Sequence, residues 1–273
     1  MNRFQFCAGL LGSAALAALP IPAFPQAASA QRLDAPGAID LAGRLRMLSQ
    51  RCTKAYLQWG QSIASDSARA LLQESISRYE AHMAALKSFQ PNPAVQASLP
   101  QLQTLWSQFK ALLAGEPNRT GAASLYDANE AMQSAAHYLT VSYSNSNGSP
   151  HEHLIGLAGR QRMLSQRMAK FFFYRTWELF EAPADMEMHL SRAHFTAVLT
   201  QIEAARHITP AAQAAATRLR RAWEPYQQAL FASKDTATMR TNAAQVAEGS
   251  ERVLAAAEDL VALLLAQAQG KST

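Results

Sequence analysis

The residues with the most chemistry to offer are arginines, and they come in two matched sets. Residues 41–54 read Leu-Ala-Gly-Arg-Leu-Arg-Met-Leu-Ser-Gln-Arg-Cys-Thr-Lys, and residues 157–170 read Leu-Ala-Gly-Arg-Gln-Arg-Met-Leu-Ser-Gln-Arg-Met-Ala-Lys, 116 positions further on. That separation is the length of a small domain rather than of a solenoid repeat, so the chain reads as a tandem duplication. Each copy carries a glycine, an arginine and a methionine in fixed register, Gly43, Arg46 and Met47 against Gly159, Arg162 and Met163, with Arg51 and Arg167 one turn beyond. A guanidinium is a planar fork of five donors with no acceptor, and two of them held close in a partly dry seam repel one another. A small planar anion between Arg46 and Arg162 would relieve the repulsion through charge-assisted hydrogen bonds worth roughly 1.5–3 kcal/mol each. Arginines are also ordinary on solvated helix faces, so it is their retention in both copies that argues for a site.

The element that positions these residues is a helix. Projected at about 100° per residue, Leu41, Leu45, Leu48, Cys52, Ala55 and Tyr56 share one side, the apolar stripe of a bundle helix. The other side carries Gly43, Arg46, Met47, Gln50, Lys54 and Leu57, repeated as Gly159, Arg162, Met163, Gln166, Lys170 and Phe173. A glycine inside a helix costs about 1 kcal/mol against alanine, so its recurrence suggests a close approach at this back face.

The rest of the chain repeats the scheme. Periodic segments rich in Ala, Leu, Gln and Arg predict helices at about 37–62, 66–89, 95–114 and 121–144, then at about 150–180, 184–206, 210–232 and 236–268. The breaks between them are Ser-, Pro- and Gly-rich and short, so the fold class expected is all-α, two tandem antiparallel four-helix bundles at 34–147 and 148–268. Ser149, Pro150 and Glu152 mark a clear helix start after the linker. Because the last helix of such a bundle ends beside the start of its first, the two arginine helices are expected side by side and parallel, related by an approximate two-fold axis. The same faces would serve equally well between two chains, so a homodimer is the alternative.

Residues 1–30 read as an export signal, with Arg3, an apolar run from Phe4 to Leu19, breaks at Pro20, Pro22 and Pro25, and a cleavage site near Ala30-Gln31. A periplasmic location follows. The run Val253–Ala268 is interrupted by Glu258 and Asp259 and reads as amphipathic rather than membrane-spanning. Lys and Arg total 25 against 20 Asp and Glu and are interleaved with them, which argues against a nucleic-acid partner. Cys52 lies on the apolar stripe, as a buried thiol should. Phe171-Phe172-Phe173-Tyr174 covers every side of its helix and should pack between modules or against a partner.

No phosphate loop, Ser/His/Asp set or paired carboxylate setting stands out, so neither an enzyme nor a cofactor is expected. The Glu-x-x-His pairs of a di-metal bundle are not found. His151-x-His153 and Met186-Glu-Met188-His189 with His194 belong to one module alone, and no metal site is expected there.

The repeated fourteen residues resemble the signature of the N-terminal domain of type IV pilus methyl-accepting chemotaxis transducers, the PilJ family. They are also similar to the nitrate-binding element of the periplasmic four-helix domain of NarX-type nitrate/nitrite sensor kinases. The second resemblance implies a ligand between first helices, held by arginines of a Gly-x-x-Arg-Met element. The positions that match are Gly43, Arg46 and Met47, and Gly159, Arg162 and Met163, with the second arginine at Arg51 and Arg167. A lysine that precedes Ala-Gly in the kinases is Leu41 and Leu157 here. The resulting expectation is a soluble sensor-type protein that binds a small anion, nitrate or nitrite, and relays it to a membrane receptor or transporter, since no signalling module follows Thr273. The alternative is an interaction module that docks to a chemoreceptor or pilus-linked protein and holds no anion.

Overall fold

In a computed structural model of the chain, which describes residues 33–144 and 149–271, every regular element is helical. The expected signal segment 1–30 lies outside the described residues. The first module contains α1 (Ala35–Gly60), α2 (Ser65–Leu86), α3 (Pro93–Leu112) and α4 (Arg119–Ser144). The second contains α5 (Pro150–Thr176), α6 (Glu181–Glu203), α7 (Pro210–Leu230), the short α8 (Thr236–Thr241) and α9 (Ala243–Ala268). The expected last helix is thus broken at Asn242, whose N–H turns back to the Met239 carbonyl at 3.1 Å. Thr236, Thr238 and Thr241 make this a weakly helical stretch. None of the described helices is long and apolar enough to cross a membrane.

Helix starts follow local chemistry. Asp34, Asn92, Ser149 and Thr209 each accept a hydrogen bond from a backbone N–H of the first turn, with proline at the opening positions of α1, α3, α5 and α7. The ends of α1 and α5 repeat each other too. Ser62 and Ala64 are left-handed (φ 59° and 46°), and so are Glu178 and Phe180 (57° and 52°), again 116 positions apart. The duplication therefore extends past the motif into the turn that follows it.

The two modules are not separate bodies. The described residues form one compact unit with one continuous apolar core. Its centre is the parallel pair α1 and α5: Asp40 meets Arg162 near the starts, and Gln61 meets the Phe173 carbonyl (2.9 Å) and Thr176 (2.8 Å) at the ends. The seam left open between intra-chain and inter-chain pairing is made within this chain.

Both helices are consequently buried almost all round, Leu41 and Arg44 being the exceptions between Gly37 and Gln58 of α1. Cys52 is fully buried, and burial pushes its thiol up, away from the reactive thiolate. Phe171, Phe172, Phe173 and Tyr174 are all fully buried, and the Tyr174 hydroxyl donates to the Ala122 carbonyl of the other module at 3.0 Å. The cluster packs between modules, each ring contributing about 1.5–3 kcal/mol of burial.

One glycine is required by close approach at the far end of the seam. A Cβ on Gly60 would run into the Trp177 ring and lie 2.9 Å from the Pro117 Cβ. Gly60→Ala is therefore expected to lower the melting temperature, although alanine is worth about 1 kcal/mol more than glycine in a helix. Thermal unfolding checks the sign.

Candidate functional site

The back faces of α1 and α5 meet, and the glycines of the motif lie under guanidiniums. A Cβ on Gly43 would sit 3.4 Å from Arg162 Nη2 and 3.6 Å from Arg46 Nη2, and one on Gly159 would sit 3.3 Å from Arg162 Nη2. The glycines thus leave room for arginine side chains rather than for a neighbouring backbone. Met47 and Met163 are buried in the apolar core, where they fill space.

The arginines divide into two kinds, and the larger group is already neutralised by the chain itself. Arg167 binds Glu130 through both terminal nitrogens (2.8 and 2.7 Å) and also Glu187 (2.9 Å). Arg51 binds Glu251 (3.1 Å from Nε) and Glu74 (3.2 Å). These pairs are reciprocal across the modules: Glu130 of α4 takes Arg167 and Lys170 of α5, and Glu251 of α9 takes Arg51 and Lys54 of α1. Lys170 and Lys54 are fully buried and donate in addition to Asn129 and Ser250. Glu130 and Glu251 stand 121 positions apart, as do Asn129 and Ser250, so α4 and α9 are related by that offset as α1 and α5 are by 116. Arg51 and Arg167 were expected to face an anion; in the folded chain they are cross-module fasteners.

Arg162 likewise has carboxylates of the chain as partners, although its Nε is buried without one. Its Nη2 donates to Asp40 Oδ1 at 2.7 Å and its Nη1 to Glu258 Oε2 at 3.0 Å, while Arg44 closes the group by bonding both acids. Burial raises and Arg162 and Arg44 lower the Asp40 carboxyl, with a net downward shift that keeps it a carboxylate.

Arg46 is the exception. It occupies the position equivalent to Arg162 and is 3 % exposed, yet among the described residues no carboxylate lies within ion-pair distance. Its one hydrogen-bond contact is Nη1 to His137 Nδ1 at 3.2 Å, and its Nε is buried without a partner. Burial, with Arg160 and Arg162 nearby, pulls the guanidinium down to about 9. The two offsets explain the difference. The place of Asp40 is taken by Gly156, that of Glu258 by His137, and that of Arg44 by Arg160. At these matched positions one half of the molecule supplies two carboxylates and the other none.

Those substituted positions surround a cavity. A cleft of about 240 Å³ is lined by Arg46, His137, Glu152, His153, Gly156 and Arg160, among others, between the end of α4 and the start of α5. A Cβ added to Gly156 meets nothing within 4 Å, so the equivalent of the Asp40 side chain has open space in front of it. Burial and the cations Arg46 and Arg160 lower the His137 pKa, which leaves its imidazole neutral at pH 7. The result is a pocket with two guanidiniums that have no acid partner among the described residues, one buried carboxylate, Glu152, and an imidazole that accepts from Arg46 at Nδ1 and so carries its own proton at Nε2. Such a set is suited to holding a small anion, and no group in it is arranged as a nucleophile with a base.

Reading the sequence pointed to Arg46 and Arg162 as a symmetric pair and missed His137 and Gly156. The signal that would have found them is the second repeat offset, which the Glu130 and Glu251 helices carry without a conspicuous motif.

The structure is an all-α fold of duplicated four-helix modules paired through their motif helices. The family model for the type IV pili methyl-accepting chemotaxis transducer N-terminal region (PilJ) matches residues 27–135 and again 143–250, and the chain belongs to that family. No curated protein and no solved structure matches it significantly.

Proposed function

We propose that this protein is a periplasmic sensor-type module that binds one small oxyanion, nitrate or nitrite, in the Arg46 cavity and presents the bound state to a membrane receptor or transporter. The observation that carries this reading is the contrast between two equivalent arginines. Arg162 is held by Asp40 and Glu258, whereas Arg46 is buried beside Arg160 with an imidazole for company. A bound anion would stand where the two carboxylates stand in the other half. It would stabilise the folded seam by RT ln(1 + [L]/Kd), and that coupling is how a module without chemistry reports its ligand. Exposed Tyr138 and Val141 flank His137 on α4, which supports a relay surface next to the cavity.

Calorimetric titration with nitrate and with nitrite tests the proposal. One site per chain is expected, abolished by Arg46→Gln, and tightening as pH falls through the His137 titration, since protonation adds a positive charge beside the anion. Absence of binding at millimolar anion, or unchanged binding in Arg46→Gln, would overturn it and favour an interaction module that holds no ligand.

A further inference from the structure

A second place where the two halves differ is the far end of the seam, about the Lys54–Glu251 and Lys170–Glu130 pairs. In the second half four rings gather there: Tyr126 of α4 lies 4.2 Å from Phe180, 5.3 Å from Tyr174 and 5.9 Å from Phe171, measured between ring centroids. Lys170 Nζ sits 4.0 Å over the Phe171 ring. By the 116 and 121 offsets, the residues that answer these rings in the first half are Ala64, Gln58 and Ala55, with Ala247 in the place of Tyr126. Backbone geometry is kept, since Ala64 and Phe180 are both left-handed. What has gone is the ring volume, and a cavity of about 340 Å³ stands there, lined by Lys54, Gln58, Ala64, Leu71, Ala247 and Glu251, among others. That is the size range of small-molecule sites.

The cavity also contains a polar group that asks for a partner. Gln58 is 4 % exposed, and its Oε1 is buried without a hydrogen bond. At the equivalent position Tyr174 has its own polar atom satisfied, the hydroxyl donating to Ala122. An unpaired buried acceptor destabilises the fold, and a ligand that donates to it recovers that loss. Lys54 and Arg51 already neutralise Glu251, so the walls present no uncompensated charge to an ionic ligand.

We propose that this cavity is a binding site for a small uncharged aromatic molecule bearing one N–H or O–H donor, which takes the place of the Tyr126 and Phe180 rings and donates to Gln58 Oε1. The second half of the chain is its own template for the occupied state. Because the site lies at the opposite end of the α1/α5 seam from Arg46, it stands or falls independently of the oxyanion reading.

Phenol and indole are the probes, with toluene as the ring that lacks a donor, followed by equilibrium dialysis on the whole protein. Saturable binding of phenol or indole is expected. Ala64→Phe, at an exposed position, and Ala247→Tyr each rebuild part of the second half's cluster and should weaken binding by at least about tenfold. Gln58→Met should weaken phenol and indole while sparing toluene, and circular dichroism reports whether each variant folds. No saturable binding of either probe, or affinity unchanged in folded Ala64→Phe, would overturn the proposal.

Discussion

Arg162→Met and Arg46→Met are expected to change stability in opposite directions, although the two residues hold the same place in a repeated motif. Removing Arg162 leaves Asp40, 5 % exposed, and Glu258 with Arg44 alone, and Arg44 is partly in solvent. Breaking a buried ion pair from one side costs about 3–5 kcal/mol, and the remaining arginine brings the expected loss toward the lower figure. Arg46 has no acid to abandon. Its charge is disfavoured in the folded state, as the downward shift to about 9 records. At pH 7, below both its folded and its unfolded pKa, Arg46 is charged in both states, so the whole cost of burying that charge works against folding. Methionine fills similar volume without that charge, so Arg46→Met should be neutral or stabilising in the absence of anion. Denaturant unfolding of both variants decides the matter, and equal losses would mean that the two halves are electrically alike.

The second large effect concerns the cross-module fasteners. Glu130→Gln removes the carboxylate shared by Arg167 and Lys170, and Glu251→Gln the one shared by Arg51 and Lys54. Each leaves two cations in a place where the lysine has no access to water, and each should cost about 3–5 kcal/mol. The same groups set the acid limit of the fold. Burial raises each carboxyl, but the lysine and arginine beside it outweigh burial and hold both at about 2. A carboxyl depressed on folding contributes stability that is complete above its unfolded pKa, about 4.3, and fades as pH drops toward 2. Unfolding free energy measured from pH 6 to pH 2 should therefore fall steeply in the natural protein and less steeply in either glutamine variant.

Much of the architecture was legible because it rests on short-range chemistry. The motif copies announced the duplication, and Ser149-Pro150 announced a helix start that the cap reproduces. Parallel pairing of α1 and α5 followed from bundle topology and a short linker. What the sequence left hidden lies on the partner helices. Glu130, His137, Glu251 and Glu258 sit on α4 and α9, whose repeat offset is 121 rather than 116 and whose residues read as ordinary amphipathic helix. Without them, Arg46 and Arg162 look equivalent and Arg51 and Arg167 look free. Helical projection also assigned Arg46 and Lys54 to a back face without saying how dry it is, since burial on both sides depends on a second bundle closing over the first.

The central claim is that the anion site exists because one half of a duplicated charge cluster lacks its acids. Its most direct test is the nitrate affinity of Gly156→Asp beside that of Gly156→Asn. The new side chain has room, and aspartate there would stand toward Arg46 as Asp40 stands toward Arg162. The account predicts that aspartate raises the melting temperature and eliminates nitrate binding, while the uncharged asparagine leaves nitrate bound. Nitrate bound as tightly by the aspartate variant as by the natural protein would contradict it.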